Sequence, residues 1–158
     1  MGSGKTAVAK ELGEKLNIDT IEMDAIVLER NKSRDMEELF KKGGEILLRE
    51  WEIALAKEWR DIEHAIISTG GGVVLNKIIL DYLREPNGNV VFLDVPFNLI
   101  QQRVKLDKTA RPLFIDIKSA LKLFKHRLPL YKKYSDIIIK SHNKEPRQIA
   151  EEIIKKLR

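Results

Sequence analysis

The stretch MGSGKTAVAKEL (Met1–Leu12) decides the fold. A glycine-rich turn running straight into an amphipathic helix points backbone N–H groups and the positive helix end at a phosphate. Gly4-Lys5-Thr6 match the close of the pattern G-x-x-x-x-G-K-[ST], with Gly2, Ser3 and Gly4 forming the cradle. Lys5 is then expected to reach the β- and γ-phosphates of a nucleotide, and the Thr6 hydroxyl to ligate Mg²⁺. The pattern's first glycine and the strand that feeds the loop are not in this sequence. The opening also fits the acyl-acceptor pattern M-G-x-x-x-[ST]. A lipid on Gly2 would sit against the loop, so the phosphate reading takes precedence.

Downstream, helical and extended patterns alternate. Val8, Leu12 and Leu16 form one apolar stripe over Thr6–Leu16. DTIE (Asp19–Glu22) is a short strand. Asp35–Lys42 and Glu45–Asp61 read as helices, the second with Leu48, Trp51, Leu55 and Trp59 on its core face. AIIST (Ala65–Thr69), NVVFLDV (Asn89–Val95) and DIIIK (Asp136–Lys140) are apolar strands. Helices are predicted between and after them at Lys77–Arg84, Asn98–Lys105, Lys118–Arg127 and Pro146–Leu157. Continuous apolar strands separated by helices predict an α/β fold, a parallel sheet with helices on both faces. No repeat or linker divides the chain, so a single domain over residues 1–158 is expected.

Composition narrows the chemistry. The 158 residues are 43% hydrophobic and 34% charged, the balance of a soluble globular protein. Cysteine is absent, which removes disulfides, thiolate metal sites and cysteine nucleophiles. His64, His126 and His142 are too scattered to bind a metal together. The formal charge of +5 suits anionic ligands. The lysines alternate with glutamates as on solvated helix faces, so neither nucleic acid nor membrane is an expected partner. A cytoplasmic monomer is the expectation.

An acceptor for the phosphoryl group needs its own residues. Glu22 and Asp24 sit two apart in EMDAIVLER; read as the end of a strand, they point to one face. Arg49 and Glu52, three apart on a helix, can pair. Gly70-Gly71-Gly72 in STGGGVVL serves close backbone approach to a ligand better than packing. Arg111 in DKTARPLF and Arg127 in HRLPLY offer forks for carboxylate or phosphate.

Taken in order, GSGKT, MDAIVLER, FKKGGEILLREWE, STGGGVVL, DKTARPLF and HRLPLYKKY resemble the shikimate kinase family over nearly the whole chain. The resemblance implies a P-loop kinase that transfers the γ-phosphoryl group of ATP to shikimate with Mg²⁺ as cofactor. It implies that Lys5 and Thr6 serve nucleotide and metal, with Glu22 standing where the family has an aspartate near the metal and Ser68 near the metal's waters. Asp24 corresponds to the aspartate that binds the shikimate hydroxyls and is the candidate base. Arg49 and Arg127 correspond to the pair that holds the carboxylate, Glu52 to the acid that orients Arg49, and Gly70, Gly71 and Gly72 to the segment beside the acceptor. Arg103 corresponds to an adenine-stacking arginine. Arg111 belongs to a lid at about residues 105–117. A kinase of gluconate or another polyhydroxy acid and a non-catalytic relic of the same fold are the competing readings.

In such a fold the strand before the loop is the central one. Leaving out ~5–6 residues there opens a slot one strand wide, ~4.8 Å from each neighbour. Its unpaired groups cost ~1–3 kcal/mol each when buried. The expectation is a displaced start or a shortened chain, a slot beside the AIIST strand, weak ATP binding and low stability.

Overall fold

The computed structural model describes residues 2–106 and 116–157. Helix α1 (Lys5–Leu16) starts on Gly4, whose left-handed backbone (φ 87°) turns the chain from loop to helix. It ends on Asn17, also left-handed at φ 53°. Strand β1 (Asp19–Glu22) then leads directly into α2 (Met23–Arg30). Helix α3 (Met36–Glu58) opens with a cap, the Asp35 carboxylate accepting from the Glu38 N–H at 2.8 Å. The two helices predicted here are one element broken at Gly44, whose φ of 65° and ψ of −158° belong to a region almost reserved for glycine.

Strand β2 (Ala65–Ser68) runs into the glycine triplet and a 3₁₀ turn at Val73–Leu75. Then come α4 (Lys77–Arg84), β3 (Val91–Asp94), α5 (Phe97–Leu106), α6 (Ile117–Tyr134), β4 (Ile137–Lys140) and α7 (Pro146–Leu157). Helix α6 is longer than its predicted end at Arg127, because it continues through Pro129. The cap on Asp116 nucleates it, with that carboxylate accepting from the Ser119 N–H at 2.9 Å.

The strands form two parallel pairs. Asp19–Glu22 lies in register with Ala65–Ser68, and Val91–Asp94 with Ile137–Lys140. No pairing joins β2 to β3 among the described residues. A groove of about 620 Å³ runs between them, lined by Ile66, Ile67, Ser68, Val91 and Leu93 together with Val8 and Leu12 of α1. This is the slot expected beside the AIIST strand. The parallel α/β arrangement is present, divided into halves.

Each half has its own apolar centre. Met23, Val27, Leu39, Leu55 and Ile79, all fully buried, gather around α2, α3 and α4 with Leu48 and Trp59. Val8, Leu12, Leu93, Ile139, Ile149 and Ile153 gather where α1 and α7 meet β3 and β4. Burying a side chain of this size contributes ~1.5–3 kcal/mol. Helix α1 packs on β1 and β2 on one side and α7 on the other, so it ties the halves together. The predicted stripes hold, with Leu16 left 37% exposed and Trp51 half-buried. The three histidines are exposed.

Candidate active site

The carboxyl end of β2, the start of α1 and the faces of α3 and α6 surround a cavity of about 710 Å³. Every described residue singled out from the sequence lines it. Gly2 to Thr6, Glu22, Asp24, Arg49, Glu52, Gly70 to Gly72, Arg103 and Arg127 all face it. Ser68, buried at the end of β2, lines it too. Arg111 and most of the expected lid lie outside the described residues.

At the loop, Gly2 and Gly4 both have positive φ, 62° and 87°. Left-handed backbone at these two alternate positions would strain any residue with a side chain. The Arg103 guanidinium of α5 donates to the Gly2 carbonyl at 3.3 Å, placing that arginine against the loop. Thr6 is exposed, and the Oε1 of Glu22 is buried with no hydrogen-bond partner among the described residues.

The structure corrects the strand reading of Asp24. Asp24 is not on a strand beside Glu22, because β1 ends at Glu22 and Asp24 lies in the first turn of α2. Strand alternation therefore does not align the two carboxylates. They share the cavity because the strand passes into the helix without a loop. Burial pushes the Asp24 carboxyl above its ordinary 3.8, against the pull of Lys5 and Arg49. Its Oδ1 has no hydrogen-bond partner among the described residues.

Arg49 and Glu52 pair one turn apart on α3, Nη1 of the arginine donating to Oε2 of the glutamate. Glu52 is fully buried. Burial raises its pKa above 4.5, and the neighbouring Asp24 adds to the rise while Arg49 and Arg127 oppose it. The glycine triplet fits between these groups because it lacks side chains. A Cβ on Gly72 would stand 1.8 Å from Nη2 of Arg49, and one on Gly70 2.8 Å from Oε1 of Glu52 and 2.9 Å from Oδ1 of Asp24. Real Cβ atoms do not approach so closely.

Arg127 enters from α6 and is 4% exposed. Its Nη2 lies 3.7 Å from Oε1 of Glu45, and its Nε has no hydrogen-bond partner among the described residues. Orphaned buried groups cost ~1–3 kcal/mol each, and such losses concentrate where a ligand supplies the missing bonds. One turn on, the Tyr131 hydroxyl donates to the Gly71 carbonyl at 2.5 Å, and its ring stacks on Phe92 with centroids 5.0 Å apart.

Tyr131 and Glu45, which touch the glycine triplet and the arginines, and the apolar lining of Leu28, Met36 and Phe40 are not among the residues expected from the sequence. The signal for Tyr131 was its place four residues after Arg127 on one helix face, hidden by ending that helix early. Glu45, four before Arg49, offered the same cue. Among the described residues no three acidic or histidine side chains cluster as a metal cage.

The shikimate kinase family model matches residues 1–158. A shikimate kinase from Sulfurihydrogenibium sp. is 34% identical over all of this chain and 93% of its own length. One from Caldicellulosiruptor bescii is 38% identical, over 98% of this chain and 89% of its own. Among solved structures, a shikimate kinase from Acinetobacter baumannii in complex with shikimate superposes with a TM-score of 0.90 at 28% identity, covering 99% of this chain and 88% of that one. The shikimate kinase of Aquifex aeolicus gives 0.84 at 32% identity, covering 99% and 91%.

Proposed function

The chain belongs to the shikimate kinase family, and from that premise we propose how its own residues move the γ-phosphoryl group of ATP to the 3-hydroxyl of shikimate. The observation that carries the assignment is spatial. Two arginines from separate helices converge on one carboxylate oxygen, the phosphate loop lines the same cavity as they do, and Asp24 stands within electrostatic reach of both Lys5 and Arg49. A small hydroxy acid fits that layout, with its carboxylate on the arginines and a hydroxyl at Asp24.

Phosphoryl transfer asks the protein for positioning and charge neutralisation more than for covalent chemistry. Arg49 and Arg127 fix the acid end of the acceptor, and Glu52 holds Arg49 in place. Asp24 orients the hydroxyl and takes its proton. Burial suits it to the task, since a carboxylate with a raised pKa is a stronger base. Lys5 and the amides of Gly2 to Gly4 meet the phosphates, and Arg103 lies beside them against the base of the nucleotide. Arg111, outside the described residues, keeps the role of closing over the transferring group as part of the lid.

The donor set fits Mg²⁺. The ion prefers oxygen ligands, keeps several waters and needs only one or two protein groups when phosphates supply the rest. The exposed Thr6 hydroxyl and the unpartnered Oε1 of Glu22 line the same cavity. When bound, the ion neutralises charge that develops on the phosphates. A single domain acting as a cytoplasmic monomer completes the proposal; among the described residues no helix is long and apolar enough to cross a membrane.

The test is Lys5→Ala. Turnover should vanish while shikimate titrates nearly as tightly as before, because Lys5 serves only the nucleotide. Equal loss of acceptor binding, or turnover of gluconate instead of shikimate by the wild type, would reject the assignment.

A further inference from the structure

A carboxylate of the protein itself already stands where the two acceptor arginines converge. Oε1 of Glu45 accepts from Arg49 through Nη2 at 2.8 Å and Nε at 3.3 Å, and Nη2 of Arg127 lies 3.7 Å from the same oxygen. The arginine side chains are 13% and 5% exposed, the glutamate 42%. Buried guanidinium groups need a counter-charge, since a single unpaired ion in such a place is strongly destabilising. Glu52 serves Arg49 from the other side, through Nη1, and is sealed inside the protein. Glu45 differs in being half in solvent and in following the break at Gly44. It has room to turn outward.

We propose that Glu45 is an internal stand-in for the substrate's carboxylate: it holds Arg49 and Arg127 together while the site is empty and yields its place when the acid enters. The inference rests on the acceptor reading given above. One carboxylate leaves as another arrives, so the charge beside the arginines is conserved and neither guanidinium passes through an unpaired state. Acceptor affinity then becomes a competition between two carboxylates. Glu45 is thereby a specificity-determining residue, because a neutral analogue gains nothing by displacing it.

The experiment titrates nucleotide-free wild type, Glu45→Gln and Glu45→Ala with shikimate and with its neutral methyl ester, using ATP affinity as the check on folding. Removing the competitor should tighten shikimate binding at least about threefold, the scale of a half-exposed ion pair, and leave the ester unchanged. Unchanged or weaker shikimate binding by the near-isosteric Gln variant would mean that Glu45 merely positions the arginines, and the proposal falls. An equal gain for acid and ester would also overturn it, since competition for charge cannot help a neutral ligand. A wild type that binds ATP but no shikimate would instead overturn the acceptor reading on which the inference stands.

Discussion

Asp24 is expensive to keep where it is. Folding favours its neutral form, because burial raises the folded pKa above the ordinary 3.8. A raised folded pKa gives a stability contribution that is complete below pH 3.8 and lost as pH climbs through the folded value. Asp24→Asn should therefore abolish turnover yet melt higher than wild type at pH 7. The gap should close as the pH falls toward 4, and melting curves at the two pH values check it. The same rise places the acid limb of the kcat/KM profile, which reports the unliganded enzyme, above the range of an exposed aspartate, with rate increasing as the base deprotonates. For the arginines the expectation runs through binding. Arg49→Ala and Arg127→Ala should each weaken shikimate at least about tenfold, as for charge-assisted bonds worth ~1.5–3 kcal/mol, with ATP affinity much less affected. Titration calorimetry with each ligand would decide it, and unchanged shikimate affinity in both variants would remove the pair from the acceptor site.

The glycine triplet and helix α3 show what an element contributes beyond its residues. A methyl group on Gly72 would overlap the Arg49 guanidinium, so Gly72→Ala should force that side chain out. Shikimate KM is expected to rise tenfold or more, comparable with the loss of Arg49 itself, while α3 stays folded by circular dichroism. The triplet was legible because successive glycines have no packing purpose, and the phosphate loop because its chemistry demands a fixed spacing. The helices α1, α4 and α7 were legible from apolar stripes that only helix packing explains. What escaped was junctions. Asp24 falls in a strand on sequence pattern because two residues of alternation cannot distinguish a strand's last residue from a helix's first turn. The continuation of α6 past Pro129 escaped because proline usually ends a helix, and tertiary packing overrode that tendency. Tyr131 was lost with it. Gly43-Gly44 read as a gap between two helices, whereas Gly44 alone takes the non-helical turn.

Across the whole molecule, the groove between β2 and β3 is the main departure from a continuous sheet. Both flanking strands present edges without a β partner among the described residues. Adding ~8–10 residues ahead of Gly2, an apolar run followed by Gly-x, gives enough length for one strand and a loop glycine. Such an extension should raise the melting temperature and tighten ATP, because it would pair both edges and anchor the phosphate loop. Equal melting points and equal ATP affinities for the two chains would show that the groove does not accept a strand. The two apolar centres carry a thermodynamic consequence as well. With no strand ladder joining the halves among the described residues, cooperativity passes through packing: through α1, whose Val8 and Leu12 belong to one centre while the helix rests on strands of the other half, and through α6, where Tyr131 stacks on Phe92 and bonds to the Gly71 carbonyl. The halves are then coupled by side-chain packing instead of by a shared sheet. Calorimetry should give a van't Hoff enthalpy below the calorimetric one. Replacing Leu12 with Ala should widen that gap more than Ile79→Ala, since α1 bridges the halves and Ile79 lies within one centre.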